Sequence, residues 1–168
     1  RKHGTMLRPE RQFLQVGAET IGSHKVEADL EIINLAYKSL SKIGIKDITL
    51  EFSSKIFLKK FFKIINQPKL EKKLIKLIKL KDLNNCLKIL DNEKNQKLLL
   101  NIFKCNGELG KISKLLNTLE LDIKTSNEIK NLRYLISNVK LGSSDRMNID
   151  LTEIDEKNYH DGIKFTFF

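Results

Sequence analysis

The sequence predicts an α+β domain in which one sheet is assembled from the two ends of the chain and carries a helical insertion between them. Residues 1–53 hold period-two stretches and a helix, residues 54–140 are almost wholly helical in period, and residues 141–168 return to alternation. With 168 residues, 40% of them apolar, the chain is large enough for one domain with a core. Strands at both ends and helices between them imply that the ends meet in one sheet.

In the first region, residues 12–21 read as a strand. Its period of two puts Phe13, Gln15, Gly17, Glu19 and Ile21 on one side and Leu14, Val16 and Ala18 on the other. The second face is small and apolar, so it is expected on helices, while the first, with two polar side chains, looks into a cleft. Residues 26–43 follow as a helix with Ile32, Ile33, Leu35, Ala36, Leu40 and Ile43 along its buried stripe, ended by Gly44. Residues 47–52 read as a second strand. The middle region contains amphipathic helices over 55–65, 69–79, 83–90, 95–104, 109–118 and 126–139, punctuated by Pro68, Asp82, Asp91 and Gly107. It shows no fixed-period repeat, which argues against a solenoid. In the last region a strand is expected at 147–151, a turn through 157–162, and a terminal strand at 163–168.

The net charge of +10 raises the question of a nucleic-acid partner. Only five of the 31 basic residues are Arg, and lysines such as Lys72, Lys73, Lys76 and Lys79 recur at helical spacing opposite Leu and Ile. That is the pattern of a solvated helix face, so no specific nucleic-acid surface is expected. The apolar stretches are repeatedly broken by lysine, and no uncharged run approaches the roughly 20 residues of a membrane span. Cys86 and Cys105 have no Cys or His at metal-ligand spacing, so they read as packing residues of a reduced, cytoplasmic protein, and no metal site is expected.

The opening RKHGTMLRPERQFLQVGAETIG, residues 1–22, resembles the second signature motif of class II aminoacyl-tRNA synthetases in its histidyl form. There an Arg ends one strand, and a returning strand carries Arg-Gln-Phe-x-Gln-x-Gly-x-Glu. Arg11, Gln12, Phe13, Gln15, Gly17 and Glu19 match that pattern, with Arg1 at the expected distance before it. Glu27 to Ile33 is similar to the family's helix start after this motif. Near the other end, Asn158-Tyr159-His160-Asp161-Gly162 resembles the Tyr-Tyr/His-Thr-Gly element of histidyl-tRNA synthetases and their regulatory relatives.

The resemblance implies a partial class II synthetase-like antiparallel sheet with a helical insertion. It also implies a histidine pocket made by Gln15, Glu19, Tyr159 and His160, beside a vestigial nucleotide site of Arg1, Arg11 and Phe13. A histidine ligand brings an ammonium, a carboxylate and an imidazole, which call for the acceptors and donors these side chains supply.

Departures from the synthetase pattern point away from catalysis. His3 stands where active synthetases have Glu, and Asp155-Glu156-Lys157-Asn158 replaces a segment with a catalytic Arg. A carboxylate there opposes the negative charge that develops in adenylate formation. Asn148-Ile149-Asp150-Leu151 instead resembles the Phe-Asp-Leu segment of the regulatory subunits of ATP phosphoribosyltransferase. The resemblance therefore implies a non-catalytic histidine-binding subunit, with no catalytic residue and no cofactor beyond histidine as effector. Its implied partner is a catalytic phosphoribosyltransferase subunit, in a hetero-oligomer containing a homodimer. A divergent histidyl-tRNA synthetase is the alternative, and a basic nucleic-acid-binding module the second. Motif 1 would precede Arg1 and motif 3 would follow Phe168, so a piece of a longer chain is expected over a reduced version of the family.

Overall fold

The computed structural model describes residues 14–109, 111, 114–115, 126–154 and 162–168. Among them the chain runs α1 (Val26–Lys42), β1 (Thr49–Ser54), α2 (Ile56–Ile65), α3 (Pro68–Lys79), α4 (Leu83–Lys88), α5 (Glu93–Lys104), β2 (Gly107–Glu108), α6 (Ser126–Asn138), β3 (Arg146–Asp150) and β4 (Ile163–Phe167). The helix expected over 109–118 lies largely outside the described residues.

Helix ends follow local chemistry. α1 closes in a Schellman motif: Gly44, at φ +90°, donates its N–H to Ser41 O at 3.0 Å, and Ile45 N–H reaches Leu40 O at 3.2 Å. α3 starts on Pro68, whose missing N–H is harmless in a first turn. Asp82 caps α4 by accepting from Asn85 N–H at 3.1 Å, and Asn92 caps α5 by accepting from Lys94 N–H at 2.8 Å.

The four strands form one sheet in the order β2-β3-β1-β4. β1 is central and joins the two ends of the chain. Leu50 and Phe52 pair with Phe167 and Phe165 of antiparallel β4 on one side, and with Met147 and Ile149 of β3 on the other. The α+β class therefore holds, but the sheet is mixed rather than antiparallel throughout, because β1 and β3 run parallel. Parallel neighbours need a long crossover, and the helices α2 to α6 provide it. β1 starts at Thr49 and not at 47, since Asp47 takes a left-handed φ of 54° that interrupts an extended run.

The strand expected over 12–21 is not formed in the described part, residues 14–21. Its alternation is real, yet no described strand pairs with it, and Leu14, Val16 and Ile21 are 102%, 98% and 90% exposed. Alternation chooses the faces of a strand but supplies no neighbour for its N–H and C=O groups.

One core unites sheet and helices. Leu50, Phe52, Ile149 and Leu151 from the sheet are buried with Phe57 and Phe61 of α2, Leu74 and Ile78 of α3, Leu99 and Ile102 of α5, and Ile129, Leu132 and Leu135 of α6. α1 packs on α6, and α2 on α5. Cys86 and Cys105 sit in this core, fully buried, as packing residues.

Candidate ligand-binding face

Period-two geometry gives the sheet two unlike faces. Leu50 and Phe52 of β1 point into the helical layer, so Thr49, Glu51 and Ser53 lie on the opposite side. In the sheet register Glu51 is flanked by Asn148 of β3 and Thr166 of β4, and Ser53 by Asp150 and Lys164. The result is a polar sheet surface on which Glu51, Asn148, Asp150, Lys164 and Thr166 are half-buried and Ser53 is buried.

At the end of β3 this surface is held by a closed set of hydrogen bonds. Lys81 Nζ donates to Asp150 Oδ2 and to Thr152 Oγ1, both at 2.6 Å. Thr152 donates to Asp150 Oδ1 through its hydroxyl at 2.7 Å and its backbone N–H at 2.8 Å. Asn106 completes the set, giving its Nδ2–H to Thr152 Oγ1 at 2.8 Å and accepting Leu151 N–H at 2.8 Å. Thr152, 1% exposed, thus has its donor and both its lone pairs engaged. Beside this node Lys164 pairs with Glu153.

Charges on this face act on one another. Burial raises the pKa of Glu51, and the negative Asp150 and Glu153 raise it further, against the opposing pull of Lys81 and Lys164. Burial also works to raise Asp150, but the bonds from Lys81 and Thr152, with the Lys81 charge, outweigh it and hold that carboxyl below its ordinary value. Acceptors and cations therefore stand side by side on a semi-dry surface, an arrangement suited to a small ligand carrying charges of both signs.

A second feature lies on the helical side, at the β4 end of the sheet. A cleft of about 170 Å³ is bounded by Thr20, Ser23, Asp29, Ile32, Ile163 and Phe165. Burial raises the pKa of Asp29 there. It is the point where the segment after Glu19 approaches the sheet. Among the described residues no three His, Cys, Asp or Glu side chains form a group that could hold a metal ion.

Of the residues the sequence singles out, Gln15 and Glu19 are described and both are exposed, on a segment outside the sheet. Tyr159 and His160, and the nucleotide-site candidates Arg1, Arg11 and Phe13, lie outside the described residues. The structure therefore does not bring the expected pocket together from the residues it describes. Glu51, Lys81, Asp150 and Lys164 were not singled out as ligand residues. Their signal was present in the alternation of TLEFSS and IKFTF, which sets Glu51 and Ser53 against Leu50 and Phe52, and Lys164 and Thr166 against three apolar side chains.

Comparison with known proteins places this geometry. A match to the family described as histidyl-tRNA synthetase spans residues 1–168. An ATP phosphoribosyltransferase regulatory subunit of Rhodospirillum centenum is 49% identical over 53 residues, 32% of this chain and 14% of that protein. One from Thermoanaerobacter pseudethanolicus is 27% identical over 175 aligned positions, covering 94% of this chain and 43% of that protein. A histidine–tRNA ligase of Pyrococcus furiosus is 31% identical over 163 residues, covering 92% of this chain and 38% of the ligase. A solved structure described as an ATP phosphoribosyltransferase regulatory subunit/histidyl-tRNA synthetase from Bacillus halodurans has the same fold. It superposes with a TM-score of 0.71 at 17% identity, over 88% of this chain and 40% of that one. The chain thus spans less than half the length of each of these relatives.

Proposed function

The chain belongs to the histidyl-tRNA synthetase family, and from that premise we propose that it is part of a non-catalytic, histidine-binding regulatory subunit of ATP phosphoribosyltransferase. One observation carries this reading: regulatory subunits resemble the chain over nearly all its length, while the positions that serve adenylate chemistry in synthetases hold other residues. His3 replaces a Glu, and Asp155 to Asn158 replace the segment with the catalytic Arg.

Histidine would bind beside the segment that carries Gln15 and Glu19, its ammonium met by carboxylates such as Glu19 and its carboxylate by a cation. Gln15, Tyr159 and His160 would serve the imidazole through hydrogen bonds. Binding becomes regulation when histidine has different affinity for two assemblies of this subunit with its catalytic partner, since a ligand shifts an equilibrium only by that difference. The partner is a catalytic phosphoribosyltransferase subunit, and a cytoplasmic location follows from that role.

The synthetase relatives favour one other reading, a divergent histidyl-tRNA synthetase. Calorimetry with histidine and an assay of histidine-dependent exchange between pyrophosphate and ATP separate the two. The regulatory reading expects binding that weakens at least tenfold in Glu19→Ala, with no exchange. Exchange above background would make the chain a synthetase, and equal histidine affinity in wild type and Glu19→Ala would remove the proposed pocket.

A further inference from the structure

In a chain of net charge +10, residues 26–37 carry three acidic side chains, Glu27, Asp29 and Glu31, and no basic one. They make up the greater part of α1. Negative charge in a first turn is favoured by the helix dipole, and Glu27 and Asp29 both stand there. That accounts for their charge but not for their surroundings. Side chains two apart on a helix do not share a face, and of the three only Asp29 borders the cleft between α1, α6 and β4.

This cleft, of about 170 Å³, draws on separate parts of the chain. Ile33 of α1 and Leu135 of α6, both fully buried, form its floor. Ile32 of α1 and Ile163 and Phe165 of β4, all half-buried, form its walls. Asp29 and the hydroxyls of Thr20 and Ser23 supply an exposed polar rim. Burial raises the pKa of Asp29, with no hydrogen bond or cation among the described residues to hold it down. A partly desolvated carboxylate without a partner is unfavourable by itself, and such groups collect at ligand sites. An apolar cavity of about 150 Å³ is enough to take benzene, so the cleft has room for one ring.

We infer that the cleft is a binding site for a small organic cation, with an apolar body of one ring against Ile33, Leu135 and Phe165 and a primary ammonium donating to Asp29 at the rim. Charge complementarity selects the ammonium, because the ionisable side chain that borders the cleft is acidic. An anion would meet Asp29 and its two acidic neighbours on α1. A neutral ligand of the same body would leave the carboxylate without a donor. The site needs none of Gln15, Glu19, Tyr159 or His160 and so stands apart from the histidine reading.

Nuclear magnetic resonance of protein labelled at its isoleucine methyl groups, titrated with benzylamine, tests the site. Benzyl alcohol and benzoate serve as neutral and anionic ligands with the same ring. Benzylamine is expected to shift the methyl signals of Ile32, Ile33 and Ile163 and to bind more tightly than either. Asp29→Asn should weaken benzylamine about tenfold, to the level of benzyl alcohol, because its ammonium loses a charged acceptor. Glu27→Gln removes the same charge from the same turn and should leave the affinity almost unchanged. Ala28→Leu, which fills the cleft, should abolish binding. If circular dichroism shows that variant to be unfolded, the comparison of Asp29→Asn with Glu27→Gln decides alone. Equal losses in those two variants would reduce the effect to net charge and overturn the proposal. Benzyl alcohol or benzoate bound as tightly as benzylamine, shifts confined to other isoleucines, or no binding of benzylamine would overturn it too.

Discussion

Lys81 occupies a backbone position that glycine usually fills. It follows the C-cap of α3 with φ 56°, and the two closing bonds of a Schellman motif run from Lys81 N–H to Ile78 O and from Asp82 N–H to Leu77 O. A left-handed conformation strains a residue with a Cβ, so the ammonium's reach to Asp150 and Thr152 explains why lysine stands there. Both Lys81→Ala and Lys81→Gly lose that reach, but only the glycine relieves the backbone. Urea denaturation should therefore find Lys81→Gly more stable than Lys81→Ala by about 1 kcal/mol. Asp145 is tied as tightly, accepting from Tyr37 Oη at 2.6 Å, Ile48 N–H at 2.8 Å and Gly142 N–H at 2.9 Å. The bond from Tyr37, with those from Ile48 and Gly142, lowers its pKa against the effect of burial. A carboxyl depressed by folding contributes stability above its unfolded pKa and loses it as pH falls through the folded value. Thermal denaturation should accordingly show Asp145→Asn less stable than wild type at pH 7, with the difference shrinking as pH drops below the ordinary aspartate range. Burial raises both Cys86 and Cys105 to about 11. A thiol reagent at pH 8 should leave both unmodified in the native protein and label both in guanidinium, since only the thiolate reacts.

Helices are the elements whose limits were readable in advance. Gly44, Pro68 and Asp82 act through bonds to residues within one turn, so their effects follow from the local sequence, and the observed ends differ from the expected ones by a residue or two. Gly44→Ala should lower stability by about 1 kcal/mol, measured by urea denaturation, because alanine resists φ +90°. Strand partners were less legible. Alternation indicated β1, β3 and β4, but the parallel direction of β1 beside β3 depends on how the helical crossover packs, and a period of two is silent on that. Residues 14–21 show the same gap, having strand periodicity with no described neighbour. The site divides similarly: Gln15 and Glu19 came from a motif, whereas the charge balance around Glu51 arises only when Lys81, Asp150, Glu153 and Lys164 converge from separate elements.

For the molecule as a whole, the three textures of the sequence do not become three units. Side chains from β1, α2, α3, α5, α6 and β3 share one core, so the helical stretch has no separate interior. Circular dichroism and tyrosine fluorescence should report one coincident unfolding transition. Leu99→Ala on α5 should shift both probes together, with a loss of about 2–5 kcal/mol. The central place of β1 has a further consequence during synthesis. Both strands that flank it, β3 and β4, are encoded far downstream, so a ribosome releases TLEFSS long before either neighbour exists. Until then its backbone groups and the aromatic ring of Phe52 are open to other chains. Production of this protein should thus be sensitive to translation speed and to chaperones that shield a nascent strand.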